Sequence, residues 1–217
     1  MLHFRMRHDY TLKSSCGRFD VDGRSVGHRT SAVCQTRPIG VVCKKGRGLR
    51  WEFVYTILEP QRVVPPRKTY LNRGFGGSQI SDSIANVDLL ILKHQPRIVV
   101  FYAGDNDIAA GKGAERVASD FAELTKRVHA TLSQTKILFI AIKPSLARWN
   151  MYDRMATANE LIRGACNADI RLTYIDIATA MLDSGGRPDS VFFVSDGLHL
   201  SASGYRLWTQ LVKPYLD

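Results

Sequence analysis

The sequence predicts an α/β fold in which helices cover both faces of a parallel sheet, and two observations carry that expectation. From residue 74 onward, short apolar runs alternate with amphipathic stretches, the pattern of strand and helix units whose crossovers lay helices on the faces of a sheet. The apolar runs are also continuous in place of alternating, as strands buried on both faces require. Taken in order, Ile80 to Lys93 reads as helical, and Ile98-Val-Val-Phe-Tyr-Ala103 reads as a doubly buried strand. A long amphipathic helix follows at about residues 113 to 133, with Val117, Phe121, Leu124, Val128 and Leu132 at spacings of three and four. Then come a strand at Ile137 to Ile142, a helix near Tyr152 to Cys166, a strand at Leu172 to Ile177 and a last helix from Ser201 to Leu216. Ligands on such sheets bind at the carboxyl ends of the strands, where the polar segments of this chain fall.

The first third is different. Residues 1 to 73 hold 15 Lys+Arg against 5 Asp+Glu, which is the whole formal excess of +10, and the remaining residues carry 15 of each sign. Within residues 1 to about 70 only Ile39 to Cys43 and Trp51 to Leu58 look strand-like. The expected organisation is an irregular basic segment over residues 1–38 and one folded domain over 39–217. A basic arm for nucleic acid is the functional alternative, but its aromatics are not interleaved with its charges, so no nucleic-acid partner is expected.

Composition narrows the classes further. With 45% hydrophobic and 23% charged residues over 217 positions, the chain fits a globular domain and not a disordered or collagenous one. No apolar run reaches the roughly 18 residues of a membrane span. Residues 1 to 9 lack the apolar block of a signal peptide, which makes a soluble, cytoplasmic protein the default expectation. Cys16, Cys34, Cys43 and Cys166 have no metal-ligand spacing, so free thiols and no metal site are expected.

Three motifs carry chemistry. Leu71-Asn-Arg-Gly-Phe-Gly-Gly-Ser78 is a glycine-rich turn that opens a helix, suited to bringing backbone N–H donors close to a ligand. Gly104-Asp-Asn-Asp107 follows a buried strand, where Asn106 could aim its amide at a developing oxyanion, or the three polar residues could simply cap a turn. Asp105 and Asp107 could be taken for a metal pair, but read better as residues that hold the Asn106 loop. Ser195-Asp-Gly-Leu-His199 places a carboxylate and an imidazole three positions apart before a helix, so that Asp196 can fix the tautomer of His199. Lys143 to Trp149 follows a strand and either shapes a pocket through Arg148 and Trp149 or is an ordinary loop whose Trp packs on the core. His129 and Met155 read as surface or core filler.

These three motifs, in this order, resemble the SGNH hydrolases, also called the GDSL lipase or acylhydrolase family. The likeness runs from about Leu71 to the C-terminus. It implies a three-layer α/β/α sandwich with a parallel, flavodoxin-like sheet and the hydrolysis of a small-molecule carboxylic ester without a cofactor. Carried over by position, it implies His199 as general base, Asp196 as its orienter, and the Gly77 N–H and Asn106 amide as the oxyanion hole.

One block of the family pattern is absent. The family places its nucleophilic serine in a Gly-Asp-Ser or Gly-Ser-Ser turn after the first strand, and no such tripeptide occurs here. Without an attacking oxygen no acyl-enzyme can form. Ser15, Ser25 and Cys43 are the in-chain substitutes, none with a supporting context, so the nucleophile is unknown. A disrupted reading frame accounts for the absence. If the codons of Leu49 to Leu58 are read one nucleotide late, Trp51-Glu52 forces a glycine codon, and synonymous choices permit Phe-Val-Gly-Ser-Ser-Ser-Ile-Arg-Phe-Trp. The same shift would explain why the first third is basic and aperiodic. The chain as written is therefore expected to be a catalytically dead hydrolase. The alternatives are a non-catalytic protein that binds esters, lipids or acylated sugars, and a basic nucleic-acid-associated protein.

Overall fold

The computed structural model describes residues 69–216 and, as backbone, residues 42–45. Trp51 to Leu58, Ser15, Ser25 and the 1–38 segment lie outside the described residues, as does the side chain of Cys43.

Five described strands form one sheet in the order β2-β1-β3-β4-β5. They are β1 (Val42–Lys45), β2 (Thr69–Asn72), β3 (Ile98–Phe101), β4 (Lys136–Ile140) and β5 (Leu172–Ile175). The pairs β3 with β4 and β4 with β5 are parallel. β1 is antiparallel to both of its neighbours, so β2 points the same way as β3, β4 and β5. The expected parallel sheet is therefore present, with β1 wedged into it in the opposite sense. Val42 lies across from Asn72 and Val100, near the carboxyl ends of β2 and β3, whereas Lys45 pairs with Thr69 and Lys44 with Ile98 at their amino ends.

The helices are α1 (Ile80–Ala85), α2 (Val87–Leu90), α3 (Asp105–Ala109), α4 (Ala114–Thr131), α5 (Tyr152–Asn167) and α6 (Ala202–Val212). Alternate strand residues feed two separate cores. Val99, Phe101, Ile137 and Phe139 pack with Val117, Phe121, Leu124 and Val128 of α4 and with Met155, Ala158 and Ile162 of α5. Ile98, Val100, Leu138, Ile140 and Ile175 pack on the other face with Trp208 and Val212 of α6. Both sets are apolar, which is why the strands read as unbroken hydrophobic runs and not as alternating ones. Rings reinforce each core: Phe121 meets Phe139 edge-on at 4.8 Å on one face, and Tyr102 lies 4.9 Å from Trp208 on the other.

The expected helix over Ile80 to Lys93 is divided into α1, α2 and a 3₁₀ turn at Leu92–His94. Asn86 closes α1, donating its backbone N–H and its side-chain amide to the Asp82 carbonyl, a side-chain competition with the helix ladder that Asn is prone to. The turn expected after β3 is a short helix, α3, entered through Gly104 at φ +120°. Of the surface and core places left open for it, Met155 takes the core, and His129 Nε2 contacts the Thr135 carbonyl oxygen at 2.9 Å. Cys166 is a buried free thiol whose pKa is pushed up to about 12 by desolvation, so it stays protonated and inert.

Candidate active site

Four segments at the carboxyl edge of the sheet meet in one cleft, which Gly77, Asn106, Lys143 and His199 all line. The site lies where the strand order reverses on either side of β1, the position at which open α/β sheets bind ligands.

The turn after β2 presents Gly77 at φ +75°, a conformation that side chains with a Cβ rarely adopt. Its N–H has no hydrogen-bond partner among the described residues. The turn is braced from within, since Asn72 Oδ1 accepts from the Gly74 N–H at 3.0 Å and Ser78 Oγ donates to the Phe75 carbonyl at 3.0 Å. It is braced from outside by Asp107, whose two oxygens accept the Ile80 N–H at 3.2 and 3.1 Å where α1 begins. Lys112 then ties Asp107 (2.7 Å) to Asp120 (2.9 Å). Burial raises the Asp107 carboxyl above its ordinary value in spite of these contacts.

The second segment follows β3. Asn106 donates from Nδ2 to the Ser78 carbonyl at 3.1 Å, and its Oδ1 accepts from Arg148 at 3.0 Å. One of its two amide N–H groups is thereby used, and the other is open. Beside it, the buried Asp105 carboxylate meets Lys143 at 3.1 Å and Arg148 at 3.3 Å. Burial alone would raise the Asp105 pKa, but the two cations more than offset it and hold the carboxyl below its ordinary value. Asp105 and Asp107 thus serve different cations and do not converge on one ion, and among the described residues no three metal-ligating side chains cluster.

The third segment is the turn before α6. Asp196 accepts three hydrogen bonds: from the Leu198 and His199 backbone N–H groups at 2.8 and 2.9 Å, and from His199 Nδ1 at 2.6 Å. The hydrogen bond from the imidazole is the main reason the carboxyl is held down to about 2. His199 Nε2 has no hydrogen-bond partner among the described residues. The turn is fixed by the Val194 N–H donating to the His199 carbonyl at 2.9 Å and by Ser201, which caps α6 by accepting from the Gly204 N–H at 3.2 Å.

Sequence reasoning named these groups but not all their supports. Lys143 is almost fully buried at the end of an apolar strand, with its ammonium 3.3 Å from the Tyr102 hydroxyl. The one signal for it was a lysine closing the run Ile140-Ala-Ile-Lys143. Tyr102 was hidden because a tyrosine in a hydrophobic run reads as core. Of the pair weighed for pocket shaping, neither lines the cleft directly: Arg148 reaches the lining residue Asn106, and Trp149 stacks on Tyr152 at 4.9 Å. Among the described residues, two with hydroxyls line the cleft. Ser78 is spent on the Phe75 carbonyl, and the Tyr102 phenol is pushed well above its ordinary pKa, chiefly by burial.

A parallel sheet with helices on both sides and a polar cleft at its carboxyl edge is the architecture of the SGNH/GDSL hydrolases, and solved structures agree with it. A Streptococcus pneumonia protein provisionally designated a platelet activating factor superposes with a TM-score of 0.62 at 21% identity, over 68% of this chain and 72% of the other. A family 3 carbohydrate esterase of Clostridium thermocellum gives 0.53 at 18%, over 67% and 70%. A serine-to-alanine mutant of an acetyl esterase, solved with an acetate ion, gives 0.57 at 20%, over 66% and 68%. At these identities the likeness is one of fold. No curated protein matches the sequence. Residues 49–207 match the GDSL-like Lipase/Acylhydrolase family, and the chain belongs to it.

Proposed function

We propose that this is the body of a carboxylic ester hydrolase built for serine acyl transfer, and that the chain as written is inactive because it lacks the serine. The observation that carries the reading is the convergence of His199, Asn106 and Gly77 on one cleft, since acyl transfer needs a base and oxyanion donors around a single carbon. In that mechanism a serine hydroxyl attacks the ester carbonyl while His199 Nε2 takes its proton. Asp196 holds the tautomer and faces the imidazolium that forms, without itself taking the proton. The Gly77 N–H and the open Asn106 N–H receive the oxyanion. His199 then returns the proton to the departing alcohol, and a water repeats the sequence to free the acid.

One observation favours the loss of the nucleophile. Among the described residues, both hydroxyls that line the cleft are engaged elsewhere: Ser78 donates to the Phe75 carbonyl, and the buried Tyr102 phenol meets Lys143. The second reading, a protein that binds esters, lipids or acylated sugars without turnover, gains support from the acetyl esterase mutant solved with acetate.

The test is hydrolysis of p-nitrophenyl acetate. The unaltered chain should show negligible turnover, and a version with Phe-Val-Gly-Ser-Ser-Ser in place of Leu49 to Val54 should be active. That activity should vanish on His199→Ala and fall on the order of 10² to 10³ on Asn106→Ala. Robust turnover by the unaltered chain that is lost on Cys43→Ala or Ser25→Ala would show an in-chain nucleophile. A folded but inert repaired chain would remove the acyl-transfer assignment and leave the binding reading.

A further inference from the structure

Asn106 can serve an anion only if its amide nitrogen, and not its oxygen, faces the cleft, and the fold fixes that choice with a residue outside the base and oxyanion set. The Ser78 carbonyl can only accept, so the group that meets it at 3.1 Å must be Nδ2. Arg148 can only donate, so the group that meets its Nη2 at 3.0 Å must be Oδ1. Rotating the amide by 180° would break both contacts at once, setting oxygen against oxygen and N–H against N–H.

Arg148 is itself held in place. Its Nη1 lies 3.3 Å from Asp105 Oδ2, and it is buried without a hydrogen bond of its own. The same oxygen also receives Lys143, so one carboxylate serves two cations. Tyr102, the remaining contact of Lys143, stays a neutral phenol because burial pushes its pKa up. One unit of positive charge is therefore left beside the Asn106 amide. The neighbouring network sets Asp107 and Asp120 against Lys112 and Arg116 and leaves no net charge. The Arg148 loop is also tied to the turn that bears His199, by the Ala147 N–H donating to the Gly197 carbonyl at 3.0 Å.

We infer that Arg148 is the positioning residue of the Asn106 amide, turning its open N–H into the cleft to receive an anionic oxygen, such as that of a carboxylate. The inference rests on the reading of Asn106 as an oxyanion donor and adds to it the group that fixes the donor's direction.

The probe is acetate, titrated into the full ¹⁵N-labelled chain while the Asn106 side-chain amide is followed by NMR and assigned by its disappearance in Asn106→Ala. In the unaltered chain the two amide protons should be well separated, one bonded to Ser78 and one open, and acetate should shift the open one. Arg148→Met should bring the two signals together and weaken acetate about tenfold, the scale of one lost charge-assisted hydrogen bond. Arg148→Lys, which keeps a donor and the charge, should recover part of both effects. Unchanged amide signals and unchanged acetate affinity in folded Arg148→Met would overturn the positioning role. If Arg148→Met does not fold, Arg148→Gln decides, since its shorter, uncharged side chain cannot span the distance to Asn106 Oδ1: wild-type signals and affinity there would also overturn it. If acetate leaves the Asn106 amide unmoved in the unaltered chain, the oxyanion-donor reading falls and takes this inference with it.

Discussion

Gly104 shows how much of the site depends on one backbone position. Its φ of +120° turns the chain from β3 into α3, and a Cβ there would lie 2.5 Å from Ile142 Cδ1. Gly104→Ala therefore meets both backbone strain and overpacking, and should cost about 3 kcal/mol in chemical denaturation. Because the shift displaces Asn106, acetate binding should weaken in the same variant. Asp105 makes a second prediction, this time in pH. Its carboxyl titrates below its ordinary value in the folded protein, so its contribution is present above the unfolded pKa of about 3.9 and is lost as pH falls through the lower folded value. Asp105→Asn should cost roughly 3 to 5 kcal/mol at pH 7, the scale of breaking a buried ion pair. The gap between variant and parent should narrow as urea unfolding is repeated from pH 4 down toward pH 2. A constant gap across that range would mean that the Asp105 charge is not what holds Lys143 and Arg148.

Among the elements, those legible in the sequence were the ones whose pattern is written over many residues. α4 shows its buried stripe of Val117, Phe121, Leu124 and Val128 at helical spacing, and β3 and β4 are apolar throughout because both faces are covered. α3 was not legible as a helix. Its five residues, Asp105–Ala109, carry two acids and an asparagine, a composition that also makes a turn, and tertiary contacts decide between the two: Asp105 with Lys143, and Asp107 with the start of α1. The division of the 80–93 helix was hidden for a similar reason, since one Asn closing onto Asp82 outweighs the periodicity around it. α6 bears directly on the site, because it anchors the His199 turn from one side of the sheet. Trp208 is fully buried against Tyr102, and Gly204 packs so close to the Phe192 carbonyl that a Cβ would lie 2.5 Å from it. Trp208→Ala should cost roughly 3 to 5 kcal/mol. Thermal unfolding should show it, whereas loss of the imidazole in the exposed His199→Ala should move the midpoint little.

For the molecule as a whole, the sequence disclosed the site's end of the sheet and the residues Gly77, Asn106 and His199 that meet there, but it could not disclose the direction of the central strand. Period and hydrophobicity are the same whichever way a strand runs, so nothing in Val42–Lys45 announced that β1 would lie antiparallel between β2 and β3. That direction bears on the missing serine. The carboxyl end of β1 is at Lys45, opposite Thr69 and thus at the amino edge of the sheet, whereas Asn106 and His199 line the cleft at the carboxyl edge. A nucleophile in a turn following β1 would open at the wrong edge. Only one strand can fill the place between β2 and β3, so under the proposed loss of the nucleophile a chain given the serine would have to exchange β1 for a strand running parallel to β3, one that ends where Phe-Val-Gly-Ser-Ser-Ser begins its turn. Hydrogen exchange reads this directly. In the unaltered chain the amides of Val42–Lys45 should be protected by pairing on both sides. In the version carrying Phe-Val-Gly-Ser-Ser-Ser at positions 49 to 54, protection should leave those amides and appear on the residues just before the introduced glycine, together with the gain of esterase activity. Activity gained while Val42–Lys45 stay protected would mean that the serine reaches His199 by some route other than the central strand, and that the direction of β1 is no obstacle to catalysis.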